Sequence, residues 1–265
     1  MGSGRIRVGI GGWTYEPWRG AFYPPGLPHA RELAYAAERL GTIEINGTYY
    51  RLQKPETFAG WAKAVPDDFV FTVKASRFCT NRRVLAEAGE AVERFLGQGL
   101  TELGAKLGPI LWQLMPTKAF DPQDFGAFLK LLPARRDGMR LRHAIEVRHE
   151  SFRDPAFTSM AREANVAIVF ADSSDHPQFA ETTADFVYAR LQDAREAEPT
   201  GYAEGELDRW ADVARCWAEG GQPAGFAAID GIAPAEKPRD AFLFMINGAK
   251  VRAPAAAQAL IARLG

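Results

Sequence analysis

Short apolar runs alternate with longer amphipathic runs along the whole chain. Eight short runs are rich in Ile, Val and Phe, as strands buried on both faces of a parallel sheet are. They predict strands over residues 6–10, 42–45, 69–73, 110–114, 144–147, 166–171, 186–191 and 242–246. Apolar positions at helical spacing predict helices over residues 31–40, 56–64, 84–103, 122–132, 155–164, 204–218 and 255–264. Around residues 176–181 the connection is too short to predict a helix.

Eight strands alternating with helices predict an α/β fold, a single closed (β/α)8 TIM-type barrel, as one domain over residues 1–265. Residues 1–4 are expected to be flexible, and the Gly- and Pro-rich stretch 220–238 is expected to be a loop insertion before the last strand. A doubly wound sheet is disfavoured. Aromatic residues follow the glycines at 9, 11 and 12, where a dinucleotide-binding helix would begin.

Composition excludes several classes of protein. The chain has 32 Lys+Arg and 33 Asp+Glu, so bulk charge cannot attract nucleic acid or membrane, although a local basic patch remains possible. Two cysteines exclude a disulfide framework and a Cys-rich zinc module. No apolar run reaches 18 residues and the first residues lack a signal-peptide pattern, so we expect a cytoplasmic protein with no membrane partner.

Polar side chains recur where the predicted strands end. In a TIM barrel these ends meet at one face, which carries the active site. Charged groups are costly to bury unless they are paired, so their clustering predicts a polar pocket there. Internal ion pairs such as Glu146–Arg148 or Glu44–Lys74 are the alternative interpretation. The residues in question are Glu44, Asn46, Lys74, Gln113, Glu146, Arg148, His149, Asp172, Arg190 and Asn247.

The connections after the last two strands suggest an anion site. Barrels often bind phosphate there at a helix N-terminus. Arg190 and Arg195 belong to the first connection, and Gly248, Lys250 and Arg252 precede the last helix in the second. A solvated basic turn is the alternative.

Aromatic residues crowd the first two connections. Trp13 and Tyr15 follow the first strand, and Tyr49 and Tyr50 follow the second. They could stack on a sugar, a base or another flat ligand, or they could close the barrel with apolar area. The sequence pattern does not decide between ligand stacking and closure of the barrel.

Several segments together resemble one known family. They are 9–15 (GIGGWTY), 42–51 (TIEINGTYYR), 69–75 (FVFTVKA), 111–114 (LWQL), 146–149 (EVRH) and 187–191 (VYARL). They are similar to the YecE-like family, catalogued as domain of unknown function 72, which implies a TIM-type barrel but no reaction. Motif matching implies that the site contains Glu44, Asn46, Tyr49, Arg51, Lys74, Gln113, Glu146, Arg148, His149, Asp172 and Arg190.

The chain departs from the family pattern at three places. Asn81 stands where a Thr-His pair often follows the third strand. Gln192-Asp193 replaces His-Gly, and Asn247-Gly248 replaces a double Asn. Two histidines are thereby lost, which argues against a mechanism based on histidine or metal.

The leading hypothesis is an enzyme of unknown class that acts on an anionic, phosphorylated small molecule. In it Glu44 or Glu146 is the general acid or base, Lys74 and Arg148 stabilise negative charge, and Arg190 and Lys250 hold the anion. The candidate catalytic residues are Glu44, Lys74, Glu146, Arg148, His149 and Asp172. The candidate binding residues are Trp13, Tyr15, Asn46, Tyr49, Arg51, Gln113, Arg190, Asn247, Lys250 and Arg252.

Two alternatives stay open, and the leading hypothesis includes neither a metal nor another cofactor. One is a metal-dependent nuclease or repair-type hydrolase, with a divalent ion on Glu44, Glu146 and Asp172 and nucleic acid as partner. The other is a barrel that binds or senses a metabolite without turnover. The substrate, the reaction and the oligomeric state do not follow from the sequence.

Overall fold

A computed structural model describes residues 2–226 and 228–265. Met1, in the predicted flexible segment, and Ala227, in the predicted loop 220–238, lie outside the described residues. The strands in chain order are β1 (Ile6–Gly11), β2 (Thr42–Ile45), β3 (Val70–Lys74), β4 (Leu107–Gln113), β5 (Arg135–Arg136), β6 (Met139–Arg140), β7 (His143–Glu146), β8 (Ala167–Ile168), β9 (Phe170–Asp172), β10 (Phe186–Leu191) and β11 (Asp240–Met245). Strands β5 and β6 form a small antiparallel hairpin.

The other nine strands form one parallel sheet that curls into a barrel. Their order is β8-β7-β4-β3-β2-β1-β11-β10-β9. The outermost strands, β8 and β9, are consecutive pieces of one segment, separated by Val169 alone. Ala167 lies beside Ala144 of β7, and Phe170 lies beside Ala189 of β10. Segment 167–172 therefore joins the two edges as the sixth of eight barrel positions, and the predicted (β/α)8 barrel is confirmed.

Helices surround the barrel. They are α1 (His29–Ala37), α2 (Gly47–Tyr50), α3 (Pro55–Lys63), α4 (Arg77–Thr80), α5 (Gly89–Leu96), α6 (Pro122–Lys130), α7 (Pro155–Glu163), α8 (Glu204–Glu219) and α9 (Ala253–Leu264). Short 3-10 segments cover Glu16–Trp18, Leu85–Ala88, Leu100–Lys106, Glu150–Phe152 and Lys250–Arg252, and the third of them is kinked at Gly104. No helix within residues 2–226 and 228–265 is long and apolar enough to cross a membrane.

The two-residue period of each strand divides the core into two layers. On β11, Phe242 and Phe244 point into the barrel, where Tyr188 and Leu111 also lie. The intervening Leu243 belongs to the larger apolar layer between strands and helices. Apolar side chains fill the lower barrel, so the polar residues near the strand ends are confined to its upper end.

The prediction of a single helix over residues 84–103 is wrong. The structure breaks this stretch into Leu85–Ala88, α5 and Leu100–Lys106. Helix α5 ends at Gly97, and Gly99 has a left-handed φ of +95°. A Cβ at Gly99 would lie 2.7 Å from Pro55, so both the turn and the close approach require glycine there. The short helices α2 and α4 were not predicted, since four residues give no readable period.

We expect Asp121→Ala to destabilise the protein by about 1 kcal/mol. The Asp121 side chain accepts hydrogen bonds from the backbone N–H groups of Gln123 (2.9 Å) and Asp124 (3.0 Å) at the start of α6. Asp121→Asn retains this acceptor and should lose little. Urea unfolding followed by circular dichroism measures both variants. Equal losses would show that the hydrogen bonds are not what stabilises the helix start.

Candidate functional site

A buried arginine lies between two buried glutamates at the upper end of the barrel. Arg190, on β10, donates from Nη1 to Oε2 of Glu146 on β7 (2.5 Å) and from Nη2 to Oε1 of Glu44 on β2 (3.2 Å). Both carboxylates are fully buried, and Arg190 is 2% exposed. One guanidinium thus joins three strands that are not neighbours in the sheet.

Further hydrogen bonds complete this network. The Tyr188 hydroxyl donates to Oε2 of Glu44 (2.6 Å) and lies 3.0 Å from the Thr72 hydroxyl. Oε1 of Glu146 accepts from Nε of Arg148 (2.7 Å) and from the Gln113 amide (3.0 Å). Every carboxylate oxygen of the pair therefore has a donor, which is what makes buried charge tolerable.

The cations around Glu146 favour the charged form of its carboxyl group. Burial alone would raise the pKa of Glu146, but Arg190, Arg148 and Lys74 outweigh it and lower that pKa to about 2. The same carboxylates keep the guanidinium of Arg190 charged, raising its pKa. Glu44 and Glu146, the expected acid–base residues, are both buried, and neither lines the pocket above.

A pocket of about 320 Å³ lies directly above the network. Arg190 contributes to its floor, and its walls come from the connections after β1, β2 and β11 and from the end of β3. Its other lining residues are Gly11, Gly12, Thr14, Trp18, Asn46, Gly47, Tyr49, Tyr50, Lys74, Met245, Ile246, Asn247, Lys250 and Ala253.

Lys74, at the end of β3, is the first of two lysines that line the pocket. Its ammonium lies 4.5 Å from the centre of the Tyr49 ring, a cation–π contact. Burial lowers the pKa of Lys74 to about 8, with Arg190 and Arg148 adding to the effect and the two glutamates opposing it. The lysine therefore exchanges its proton near neutral pH.

Lys250 is the second cation of the pocket. Its ammonium lies 4.4 Å from the centre of the Tyr15 ring and 5.7 Å from that of Trp18. The Trp18 indole N–H donates to the Lys250 carbonyl (2.9 Å), which fixes the aromatic support to this turn. Burial lowers the pKa of Lys250 as well.

The backbone beside Lys250 is held in an unusual conformation. Asn247 and Gly248 have left-handed φ values of +62° and +52°. A Cβ at Gly248 would lie 2.5 Å from the Gln192 carbonyl, so only glycine fits. The Asn247 amide donates to Oε1 of Gln192 (2.8 Å), which ties the connection after β11 to the end of β10.

Six of the predicted site residues, Tyr15 and Asp172 among them, lie outside both the pocket lining and the buried network. Trp13 packs edge-on against Trp61 at 5.2 Å and serves as apolar cover. Arg51 lines a separate groove with Phe78. Arg252 donates to the Glu196 carbonyl, and His149 accepts from the Ser151 N–H at the start of a 3-10 turn.

Of the two arginines expected at an anion site after the seventh barrel strand, Arg190 lines the pocket and Arg195 does not. Arg195 is bound by the carboxylate of Glu206 instead. Asp172 lies apart from the pocket lining too. Burial and the neighbouring Asp193 raise the pKa of Asp172 to about 6.

The metal alternative required Glu44, Glu146 and Asp172 to share an ion. Both glutamates are bound to Arg190 instead, and Asp172 is not part of that network. Within the described ranges, no group of three His, Cys, Asp or Glu side chains is placed to hold a metal ion.

Sequence reasoning missed several residues of the site. Tyr188 and Thr72 are part of the buried network, and Thr14 lines the pocket. The strand period could have found the first two. Each lies two positions before a predicted site residue, Arg190 or Lys74, and so shares its face.

A TIM-type barrel with a polar pocket at the carboxyl ends of its strands is the class that this fold and site define. Within it, the chain belongs to the family described as Protein of unknown function DUF72, whose model matches residues 7–265. This confirms the resemblance to the YecE-like family.

Comparison with individual proteins agrees. The chain is 28% identical over 150 residues to the UPF0759 protein YecE of Escherichia coli K12, covering 56% of this chain and 50% of that protein. It thus spans about half the length of the curated relatives it matches. A DUF72 family structure from Thermotoga maritima has a TM-score of 0.67 at 23% identity, covering 97% of each chain. One from Enterococcus faecalis has a TM-score of 0.68 at 18% identity, covering 98% of this chain and 95% of its own. These structures share the fold.

Arg190→Met should cost about 3–5 kcal/mol of stability, because it leaves buried carboxylate charge without its main partner. Arg195→Met is the matched control: it breaks an arginine–glutamate pair that is exposed, and should cost far less. Urea unfolding at pH 7 compares the two variants. Similar losses would mean that the buried network does not hold the upper barrel together.

Lys74→Met should stabilise the protein by roughly 1–3 kcal/mol at pH 7. The pKa of Lys74 falls from 10.5 to about 8 on folding, so the unfolded chain binds more protons between these values. The penalty is complete below pH 8 and disappears as pH rises to 10.5, and the gain from the variant should fade over that window. Lys130→Met, at an exposed position on α6, is the control. Urea unfolding at pH 7 and pH 10 measures both; a gain independent of pH would contradict this account.

Proposed function

We propose that the protein is an enzyme that binds an anionic, phosphorylated small molecule in the pocket above Arg190. One observation carries this proposal: Lys74 and Lys250 line the same pocket, and within the described residues no carboxylate lies within 4.0 Å of either ammonium. Aromatic rings, which compensate a cation only in part, lie against both. An anionic ligand is the partner that such a pair lacks.

The charges around the pocket support the same conclusion. The two glutamates beneath the floor are matched by Arg190 and Arg148, which donate to them directly. Lys74 and Lys250 are then in excess. A phosphate monoester carries a charge of about −1.5 to −2 at pH 7, which balances two lysines.

The size and lining of the pocket support a small ligand. Ligand sites span roughly 300–1,000 Å³, and this pocket of about 320 Å³ lies at the lower end of that range. Thr14, Asn46 and Asn247 supply hydrogen-bonding groups, and Trp18 and Tyr49 supply ring faces. This combination suits a phosphorylated metabolite with a few further polar groups.

The lowered pKa of Lys74 supports a catalytic role for the pocket over binding alone. A site that only binds an anion gains from a permanent charge, yet burial and two arginines lower the pKa of this lysine to about 8. Such pKa values cluster at catalytic positions because a group that exchanges its proton near pH 7 can take part in chemistry. The lysine is therefore the candidate catalytic residue.

A thermal-shift panel of phosphorylated metabolites, each beside its neutral alcohol, tests the binding step. A ligand at 100 times its dissociation constant should stabilise the protein by about 2.7 kcal/mol. We expect phosphorylated compounds to stabilise it, Lys250→Gln to weaken their binding at least ten-fold, and Lys130→Gln to leave it unchanged. Turnover of each hit is then followed by mass spectrometry, with Lys74→Met expected to abolish it.

Three outcomes would overturn parts of this proposal. Stabilisation by neutral alcohols alone, or equal binding by the Lys250 variant, would remove the anion site. Binding without turnover of any hit would favour a sensing role. A response confined to Mn²⁺ or oligonucleotides would favour the hydrolase alternative.

A further inference from the structure

We propose that Lys74 forms a Schiff base with the carbonyl carbon of a small aldehyde or ketone that also carries the anionic group. The inference rests on the proposed function, because it uses the same pocket. It adds the substrate class, a phosphorylated or carboxylated carbonyl compound, and a covalent role for the lysine.

Comparison with two other buried lysines shows what is unusual about Lys74. Lys106 donates to the carbonyls of Ala62 and Val65 at 2.7 and 2.8 Å. Lys118 donates to the Asp124 carboxylate at 2.6 Å. Both amines are occupied in holding loops together. Lys74 instead lies against a ring face and lines a pocket, so its nitrogen is available to a ligand.

The surroundings of Lys74 favour the neutral amine, which is the nucleophile. The charged groups that act on its ammonium are Arg190 on β10, Glu44 on β2, Glu146 on β7 and Arg148 just after β7. The glutamate oxygens are already occupied by arginines, Tyr188 and Gln113, so they compensate the lysine only through space. A lysine made less basic by burial and nearby cations is the usual form of a Schiff-base lysine.

In this proposal Lys250 binds the anionic group of the ligand, while Lys74 reacts with its carbonyl. It lies on the connection after β11, and β11 is three strands from β3 in the order β3-β2-β1-β11. Two aromatic rings hold its ammonium, a geometry suited to a fixed cation. A ligand that contacts both lysines therefore presents its carbonyl to Lys74 and its anionic group to Lys250.

The reaction balances without a cofactor. Lys74 first loses its ammonium proton to solvent, and the neutral nitrogen attacks the carbonyl carbon. A C–N bond forms as the C=O π bond breaks, and a proton passes from the nitrogen to the oxygen through solvent, which gives a neutral carbinolamine. The hydroxyl then leaves as water after a second protonation from solvent, and a protonated imine remains. No oxidation or reduction occurs.

Borohydride trapping tests this step on the whole protein. The probes are dihydroxyacetone phosphate, pyruvate and glyoxylate, with acetone as the neutral comparison, each in the presence of sodium cyanoborohydride. Reduction of the imine leaves a stable secondary amine that peptide mapping locates. We expect one adduct per chain, at Lys74, formed at least ten-fold faster than any adduct at the exposed Lys130.

Variants and pH sharpen the test. Lys74→Arg should remove the adduct, Lys250→Gln should slow its formation at least ten-fold with anionic probes, and Lys130→Gln should leave it unchanged. The rate at Lys74 should rise with pH about a midpoint near 8. Mapping of the unaltered protein gives an answer even where a variant fails to fold.

Failure of this inference is distinguishable from failure of the proposed function. Adducts spread over lysines in proportion to exposure, or none at Lys74 while phosphorylated compounds still stabilise the protein, would overturn the Schiff base alone. Labelling of Lys74 at equal rates by acetone and by the anionic probes would support the Schiff base and contradict the anion site.

Discussion

The upper end of the barrel depends on the ion network in which Arg190 binds Glu44 and Glu146. Unpaired charge in a barrel interior would be prohibitively costly, so these three side chains are stable there only together. They come from β10, β2 and β7, which are not neighbours in the sheet. The pairing therefore constrains how the barrel closes as well as which side chains remain free above it.

The chemistry of the pocket follows from that pairing. Because the arginines occupy the glutamates, the carboxylates neither line the pocket nor bind Lys74 directly. Within the described part of the chain, no direct ion pair offsets the burial of Lys74. Its pKa therefore falls, and the ammonium loses its proton more easily. The burial of this lysine therefore costs stability. Lys250 lines the same pocket as a second cation.

Many residues of the site could be predicted from the sequence, but most of the pairings between their side chains could not. The pairing of Glu146 with Arg148 was foreseen, since the two lie on one face of one strand. A pairing of Glu44 with Lys74 was also considered, yet Glu44 is bound by Arg190 and Tyr188. Those partners are more than 140 positions away along the chain, so no local pattern could reveal them.

The alternation of strands and helices, the barrel class and the family can be predicted from the sequence alone. These depend on periodicity and motifs, which are properties of neighbouring residues. Which polar residues face the pocket, such as Lys74 and Lys250, and which bind elsewhere, such as Arg195 and Arg252, becomes clear only once the barrel is folded. The physical reason is that a side chain's charge behaviour depends on distances across the barrel, and closure and register set those distances.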